Sequence, residues 1–473
     1  MELKHTEVKF VTADSEWQRV YDAAEKTEKN NIVSWENRKL LVEGGGDYSD
    51  GIWLETQPMG GEMYGSRNLE LALNNQLLFM ENIREDGRLP SVIRYTGSEY
   101  NLMYSHFQGY CFPYHALNVY YLIGENREYL KLLYRSLSQF DDYLWRTRDT
   151  DGNGCLESFC KWDTGEDRSV RFFDGPDAWG SDEPPYGQAK LPYESMDIMS
   201  YSYDGKMTLA EISDILGNGE GDKWRVEAQA VRAKLNSYLW WEEKGALYDR
   251  DCNNEFLDTL IHNNLRVMYH GAYEKSKADR FVTEHLLNPD EFFTPMPLPS
   301  IAANDPLFFP DPSNNWSGQP EGLTYQRAIR ALENYGYHNL IPVFGHKLCH
   351  ALAMNDPVMF TQQFDHLTGK PQTELCTISG DYGPSILAIL GYTAHMYGVE
   401  MRRKKLIFST LGDCGGCEYS QIYGDSIYTV KNDGKKAALY INKKEIASVP
   451  CGTKVICDFN GNIEQSFSVS DKD

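Results

Sequence analysis

Hydrophobic residues recur at helical spacing over most of residues 16 to 400, and this periodicity restricts the fold more than any other feature of the chain. In 126–147, Leu130, Leu133, Leu137, Phe140 and Leu144 fall on one stripe, and in 67–82 Leu69, Ala72, Leu73, Leu77 and Met80 do the same. Comparable segments at 16–28, 113–123, 194–216, 222–240, 258–270, 275–287, 321–335, 339–354 and 382–398 bring the expectation to about eleven helices. Some are joined by short polar turns such as 123–128. Others are separated by the long segments 43–65, 149–192 and 288–320, rich in Gly, Pro, Asp and Trp. Structureless loops longer than about 15 residues inside a compact domain usually carry function. A closed ring of helical hairpins with its long loops at one end accommodates both features and forms a cup. The expected fold is therefore mainly α, an (α/α)6 barrel over residues 1–402.

After residue 403 the pattern changes to short alternating runs, SIYTVKN, AALYINKK, TKVICDF and QSFSVS, punctuated by Asn432-Asp433-Gly434 and Asn460-Gly461. Alternation with period two and Asn/Asp-Gly turns signals hairpins. Residues 403–473 are expected to form a small antiparallel β module, too short for a comfortable core of its own and therefore packed on the barrel.

Composition narrows the partners. The chain of 473 residues carries 46 basic and 69 acidic side chains, a formal charge of −23. With no Lys/Arg cluster, it is a poor binder of nucleic acid or anionic lipid. The mean hydropathy is −0.53, and no apolar run approaches the ~18 residues of a spanning helix. The N-terminus lacks the apolar core of a signal peptide, so a cytoplasmic location with reduced cysteines is expected. The 31 Tyr and 10 Trp suit a sugar, apolar on its faces and polar around its rim, as well as they suit a helical core.

The densest chemistry lies in 149–174. Trp162-Asp163-Thr164-Gly165-Glu166-Asp167-Arg168-Ser169-Val170-Arg171-Phe172 puts acids, arginines and aromatics on one irregular loop. Glycoside cleavage needs these groups: a carboxylic acid to protonate the leaving oxygen, an aromatic wall and a fixed cation. The stretch resembles the Trp-Glu-Ser-Gly-Met-Asp-Asn-Ser-Pro-Arg-Trp signature of the inverting glycoside hydrolase clan that contains trehalase, the processing α-glucosidases of family 63 type and mannosylglycerate hydrolase. Trp162, Gly165, Asp167, Ser169 and Arg171 match identically, and Asp163, Thr164 and Phe172 conservatively. The resemblance implies an inverting α-glycosidase with Asp167 as general acid and Trp162, Asp163 and Arg171 at the substrate.

Two further segments extend it. Asn315-Trp316-Ser317-Gly318-Gln319-Pro320 is similar to the clan's Trp-Arg-Gly-Pro segment, and Gln362-Gln363-Phe364-Asp365-His366-Leu367-Thr368-Gly369 to its Glu-Tyr-Tyr-Asn-Pro-x-Thr-Gly segment. Asn315, Trp316 and Gln362 are thereby implied at the substrate. In the clan, the Glu opening the second segment is the general base, and here the matching residue is Gln362. An amide cannot take a proton near neutral pH. Glu374, on the loop after Thr-Gly, and Glu321, at a helix start, are the carboxylates expected to replace it, with Asp365 a weaker choice.

Residues 47–67 form a second expected rim, in which Trp53, Glu55, Gln57, Tyr64 and Arg67 could orient a sugar; an Ω-like loop plugging the barrel accounts for them equally. No organic cofactor is implied. Asp149, Asp151 and Asn153 begin like a Ca²⁺ loop, but Cys160 stands where the bidentate Glu would be, and a tight turn is preferred. Two other functions remain open: a catalytically silent sugar-binding protein, favoured by Gln362, and a cofactor-free epimerase, which would require His106, His115 and His262 to converge.

Overall fold

The computed structural model describes residues 2–188, 190–312, 316–372, 380–412 and 415–469. Among these, twelve α-helices follow in order: α1 Ser15–Thr27, α2 Gln57–Tyr64, α3 Leu69–Glu81, α4 Pro113–Leu122, α5 Arg127–Thr147, α6 Met196–Leu216, α7 Gly221–Tyr238, α8 Asn263–His270, α9 Lys275–Phe281, α10 Gly322–Asn334, α11 Leu340–Ala353 and α12 Gly383–Tyr397. The amphipathic stripe of α5 is buried as its spacing requires, from Leu130 to Leu144. Its first turn is closed by Asn126, whose side chain accepts the Tyr129 N–H at 2.9 Å.

Two elements differ from the periodicity. Along α3, Leu73 and Leu77 are the apolar positions left partly exposed, while Leu71, Leu78 and Phe79 are buried. The reason is polar: Asn75 exchanges hydrogen bonds with Leu41 at 3.0 and 2.7 Å, which turns that face of α3 onto the 32–41 hairpin. The second is α2, whose segment QPMGGEMY has no apolar stripe. Its glycines permit close packing instead: a Cβ on Gly60 would meet Leu387 at 2.8 Å and one on Gly61 would meet Asn75 at 2.8 Å.

The even-numbered helices pack consecutively, α2 on α4, α4 on α6, α6 on α8, α8 on α10 and α10 on α12, and α12 returns to α2. Most odd-numbered helices lie against this ring, α1 and α11 on α12, α3 on α2, α5 and α7 on α6. Asn263 of α8 donates to Asp197 of α6 at 2.5 Å, Thr324 of α10 bonds His262 just before α8 at 3.1 Å, and Gly322 of α10 abuts Ser385 of α12, which brings these N-termini together at one end. There the partial positive charges of the helix ends favour carboxylates.

The two largest sheets gather at the other end. Strands β1 Thr6–Thr12, β2 Val399–Arg402, β3 Lys405–Ser409, β4 Cys417–Tyr423, β5 Ser426–Asn432, β6 Lys436–Ile441, β7 Lys444–Pro450, β8 Thr453–Cys457 and β9 Ile463–Ser468 form two antiparallel sheets, ordered β1-β4-β5-β6-β7 and β2-β3-β8-β9. The sheet region thus draws one strand from the start of the chain. A buried ionic knot fastens it to the helices: Glu333 of α10 receives Lys454 of β8 at 2.5 Å, Arg402 of β2, and His395 of α12 at 2.9 Å. No helix among the described residues is long and apolar enough to cross a membrane.

Candidate active site

The loop 161–172 is held from below by ion pairs. Arg171 lies buried with Nε and Nη2 on Glu166 at 3.1 and 2.5 Å and Nη1 on Asp249 at 2.8 Å. Glu166 also accepts from Thr164 at 2.6 Å and Asn263 at 3.0 Å. Burial pushes the Glu166 carboxyl up, but the Arg171 charge and hydrogen bonds overcome this and hold it at about 2. Asp163 accepts the N–H groups of Phe107 and Phe159 at 3.1 and 2.8 Å. Arg171 and Asp163 are therefore scaffold, their polar atoms spent on the protein, rather than the substrate contacts the resemblance implies.

Asp167 stands on top of this scaffold, half-buried, where Glu166 below it is fully enclosed. Its carbonyl accepts the Trp316 N–H at 3.2 Å and Val170 N–H bonds Ser317 Oγ at 2.8 Å, which fastens the loop to 316–320. The following residue, Arg168, has φ 55°, a left-handed backbone that a side chain adopts only under constraint. Trp316 is buried against His262 at 5.4 Å and under Arg266 at 5.3 Å. Trp162 packs edge-on to His106 at 5.2 Å.

The surroundings of Asp167 are acidic. Glu321 directly precedes α10 without a side-chain capping bond, where the 320–322 backbone pairs with 362–364. Its Oε1 accepts from Gln363 at 3.1 Å, and no donor among the described residues reaches the buried Oε2. Desolvation drives its carboxyl well above the ordinary range, and the charges of Asp167 and Glu55 add to the shift. Glu43, preceding Gly44-Gly45-Gly46, is raised well above its ordinary value by burial and then by Glu55, with Asp167 again contributing. Glu55 accepts from Gln108 at 3.0 Å and Arg327 at 3.2 Å; burial raises it against these contacts. The carboxylate fits because Gly109 and Gly165 flank it, a Cβ on either coming within 2.6 and 2.5 Å of Oε2. Gln362 is buried and its Oε1 accepts the Tyr48 hydroxyl at 2.9 Å. Tyr48 in turn packs against Trp53 at 5.5 Å and Tyr382 at 5.8 Å.

The acidic end thus collects Glu43, Tyr48, Trp53, Glu55, Glu321, Gln362 and Tyr382 near the loop that carries Trp162 and Asp167, with Trp316 buried behind that loop. Glu374 and Asn315 lie outside the described residues. Gln57, Tyr64 and Arg67 do not join the site. The Gln57 side chain accepts the Trp53 N–H at 2.8 Å and shapes the turn. Tyr64 ends α2, about 10 Å further along the helix at 1.5 Å per residue. Arg67 is bound there to Glu25 at 2.5 Å. The three histidines do not converge: His262 bonds Thr324 at 3.1 Å beside Trp316, His106 sits by Trp162, and His115 pairs with Glu62 at 3.0 Å at the other end of α2. Asp149, Asp151 and Asn153 use their side chains within a turn, accepting the N–H groups of Gly154, Asn153 and Cys155 at 3.1, 3.1 and 2.8 Å.

Glu43, Tyr48, Tyr382 and Arg327 were not legible as site residues. For Glu43 the run of three glycines after it was the available signal: Gly383 N–H bonds the Glu43 carbonyl at 2.7 Å, a close approach of two backbones.

The model of the mannosylglycerate hydrolase MGH1-like glycoside hydrolase domain matches residues 55–385, well over half of the chain. A solved structure of GH63 mannosylglycerate hydrolase from Thermus thermophilus in complex with glucose is similar in fold, with TM-score 0.63 and 15% identity over 79% of this chain and 99% of that one. A larger protein described as a sialidase aligns over 96% of this chain with TM-score 0.72 and 14% identity; the chain spans 41% of its length. An uncharacterized protein of Borreliella burgdorferi is 24% identical over 153 residues, and the match spans about a third of each chain, 32% in both cases.

Proposed function

We propose, from the premise that the chain belongs to the MGH1-like glycoside hydrolase family, that it hydrolyses a small α-linked glycoside with inversion at the anomeric carbon. The ring of six even-numbered helices is read as the inner layer of an (α/α)6 barrel, with residues 403–473, joined by the strands Thr6–Thr12 and Val399–Arg402, as the appended β module and the acidic end as the cup. Asp167 donates its proton to the departing oxygen. Glu321 takes a proton from the attacking water, since the residue at the clan's base position, Gln362, is an amide already engaged by Tyr48. An inverting pair needs roughly 6.5–9.5 Å between carboxyls for that water. Trp53 and Trp162 face the sugar, while Trp316, expected there from the resemblance, is buried and supports the Asp167 loop instead. The substrate is a small carbohydrate, with no nucleic-acid or membrane partner, and the expected location is the cytoplasm.

The observation that carries this reading is the buried, half-unpartnered Glu321 carboxyl, which shares its electrostatic environment with Asp167. The test is a panel of aryl α-glycosides and α-linked disaccharides, with proton NMR recording the anomer released first. The β-anomer is expected; the α-anomer would indicate retention, and no turnover with retained sugar binding would favour a silent binding protein.

The pH profile follows from the same carboxyl. A base with a raised pKa stays protonated and inactive until the pH passes through it. The acid limb of kcat/KM is therefore expected above 4.5, the ordinary value from which burial displaces Glu321. The Gln363 hydrogen bond opposes that displacement, so Gln363→Leu should move the limb to higher pH. A limb at or below 4.5 that ignores the substitution would assign it to another group.

A further inference from the structure

Gly322 opens α10 beside Glu321, and Glu333 lies eleven residues beyond it, about 16 Å along the axis at 1.5 Å per residue. At this second end, β2 and β4 close over α2, α4, α10 and α12 and leave a cavity of about 120 Å³. Met59, Met63, Leu387 and Leu390 line one side, and half-buried Tyr114 and Arg330 stand at the mouth.

The charges around this cavity already have partners. Glu62 is paired with His115 at 3.0 Å, Arg67 with Glu25 at 2.5 Å, Arg330 with Asp204 at 3.5 Å, and Glu333 with Lys454 and Arg402. Glu400 is paired with His395 and Arg402, and among the described residues the lining atoms without a hydrogen-bond partner are Glu400 Oε1, Arg330 Nε, the Tyr419 hydroxyl and two amide oxygens. Gln421 is 0% exposed, and its amide nitrogen donates to the carbonyls of Ser66 at 2.8 Å and Ile422 at 2.9 Å, which fixes the side chain with its oxygen unpartnered. Gln326, 2% exposed, has its nitrogen on the Met63 sulfur at 3.1 Å and its oxygen likewise without a donor. Buried acceptors left without donors are costly. A charged occupant would bring an ion that no free countercharge answers.

We propose that this cavity is a second small-molecule site, separate from the acidic end, which takes a neutral polyhydroxylated ligand of monosaccharide size. Ligand hydroxyls donate to the amide oxygens of Gln326 and Gln421, and the C–H face of the ring lies on the methionine and leucine wall. Because the lining combines ring helices with β2 and β4, occupancy ties the sheet region to the helices and raises the unfolding temperature.

The test is calorimetric titration of the full chain with D-glucose, D-mannose, D-galactose and L-rhamnose, with D-glucuronate and D-glucosamine as charged controls. Binding is read without turnover, so the outcome stands apart from the hydrolytic reading. At least one neutral sugar is expected to bind, with affinity unchanged within about twofold in Asp167→Asn. Ala394→Leu, which fills the cavity, and Gln326→Leu, which removes an acceptor, should each weaken it by about tenfold or more; crystals soaked in the same sugar should show it beside Gln421. Absence of binding by all four neutral sugars would overturn the proposal. So would binding that disappears with Asp167→Asn, or tighter binding of the charged sugars.

Discussion

Glu321→Gln is expected to lower kcat by about 10²–10⁴-fold, the usual contribution of a positioned acid or base, while KM changes little. The substitution keeps the volume of the side chain and its contact with Gln363, and removes only the ability to take a proton. The partner experiment is Gln362→Glu. Gln362 is buried, and its oxygen already accepts the Tyr48 hydroxyl. A new carboxyl there would join Glu43, Glu55 and Glu321 in one desolvated cluster, where like charges disfavour ionisation. It is expected to lower activity or leave it unchanged. A tenfold or larger gain from Gln362→Glu, with Glu321→Gln silent, would place the water-activating position at residue 362 and make the natural chain a binding protein.

Arg171→Met is the largest expected loss of stability. It leaves Glu166 and Asp249, both buried, without their shared cation. Removing one partner of a buried ion pair costs about 3–5 kcal/mol, because the remaining charge is uncompensated. At about 2.1 cal/mol/K of unfolding entropy per residue, roughly 1 kcal/mol/K for a chain of this size, Tm should fall by about 3–5 °C. The pH dependence has a definite sign. Against the upward push of burial, Arg171 holds Glu166 at about 2 in the folded state, below its ordinary 4.5. The pair's contribution is complete above 4.5 and is lost as the pH falls through about 2. The deficit of Arg171→Met should accordingly be largest at neutral pH and shrink on acidification. A deficit that is the same at pH 7 and pH 3 would contradict a role for charge.

The helices were legible wherever one face alone is buried, as in α5, because a stripe then has to appear at 3.6-residue spacing. Apolar runs also revealed helices buried on most sides, such as α8 and α12, whereas α2 gave no signal and the inward face of α3 was misjudged. In α2, close packing on two sides is allowed by Gly60 and Gly61, which carry no hydrophobic signal, and in α3 an asparagine decides which face turns inward. The same limit applies to the site. Asp167 and Trp162 stood out because one loop carries them together. Glu43 and Tyr382 did not, since each is an unremarkable residue until the backbones at Glu43 and Gly383 meet. Arg171 matched a substrate-binding pattern, yet the need to neutralise Glu166 and Asp249 takes all of its charge inward. Spacing in the chain reports which residues are near each other in sequence, and a buried cation's partners are chosen across the fold.

The account turns on proton donation by Asp167. The most direct measurement is kcat/KM of Asp167→Asn on two substrates of the same sugar, an α-linked disaccharide and a nitrophenyl α-glycoside. A disaccharide's leaving alkoxide needs the proton, whereas nitrophenolate departs without it. The account predicts a fall of about 10²–10⁴-fold on the disaccharide and a fall of less than about tenfold on the nitrophenyl substrate. Equal losses on both, or full activity on the disaccharide, would contradict it.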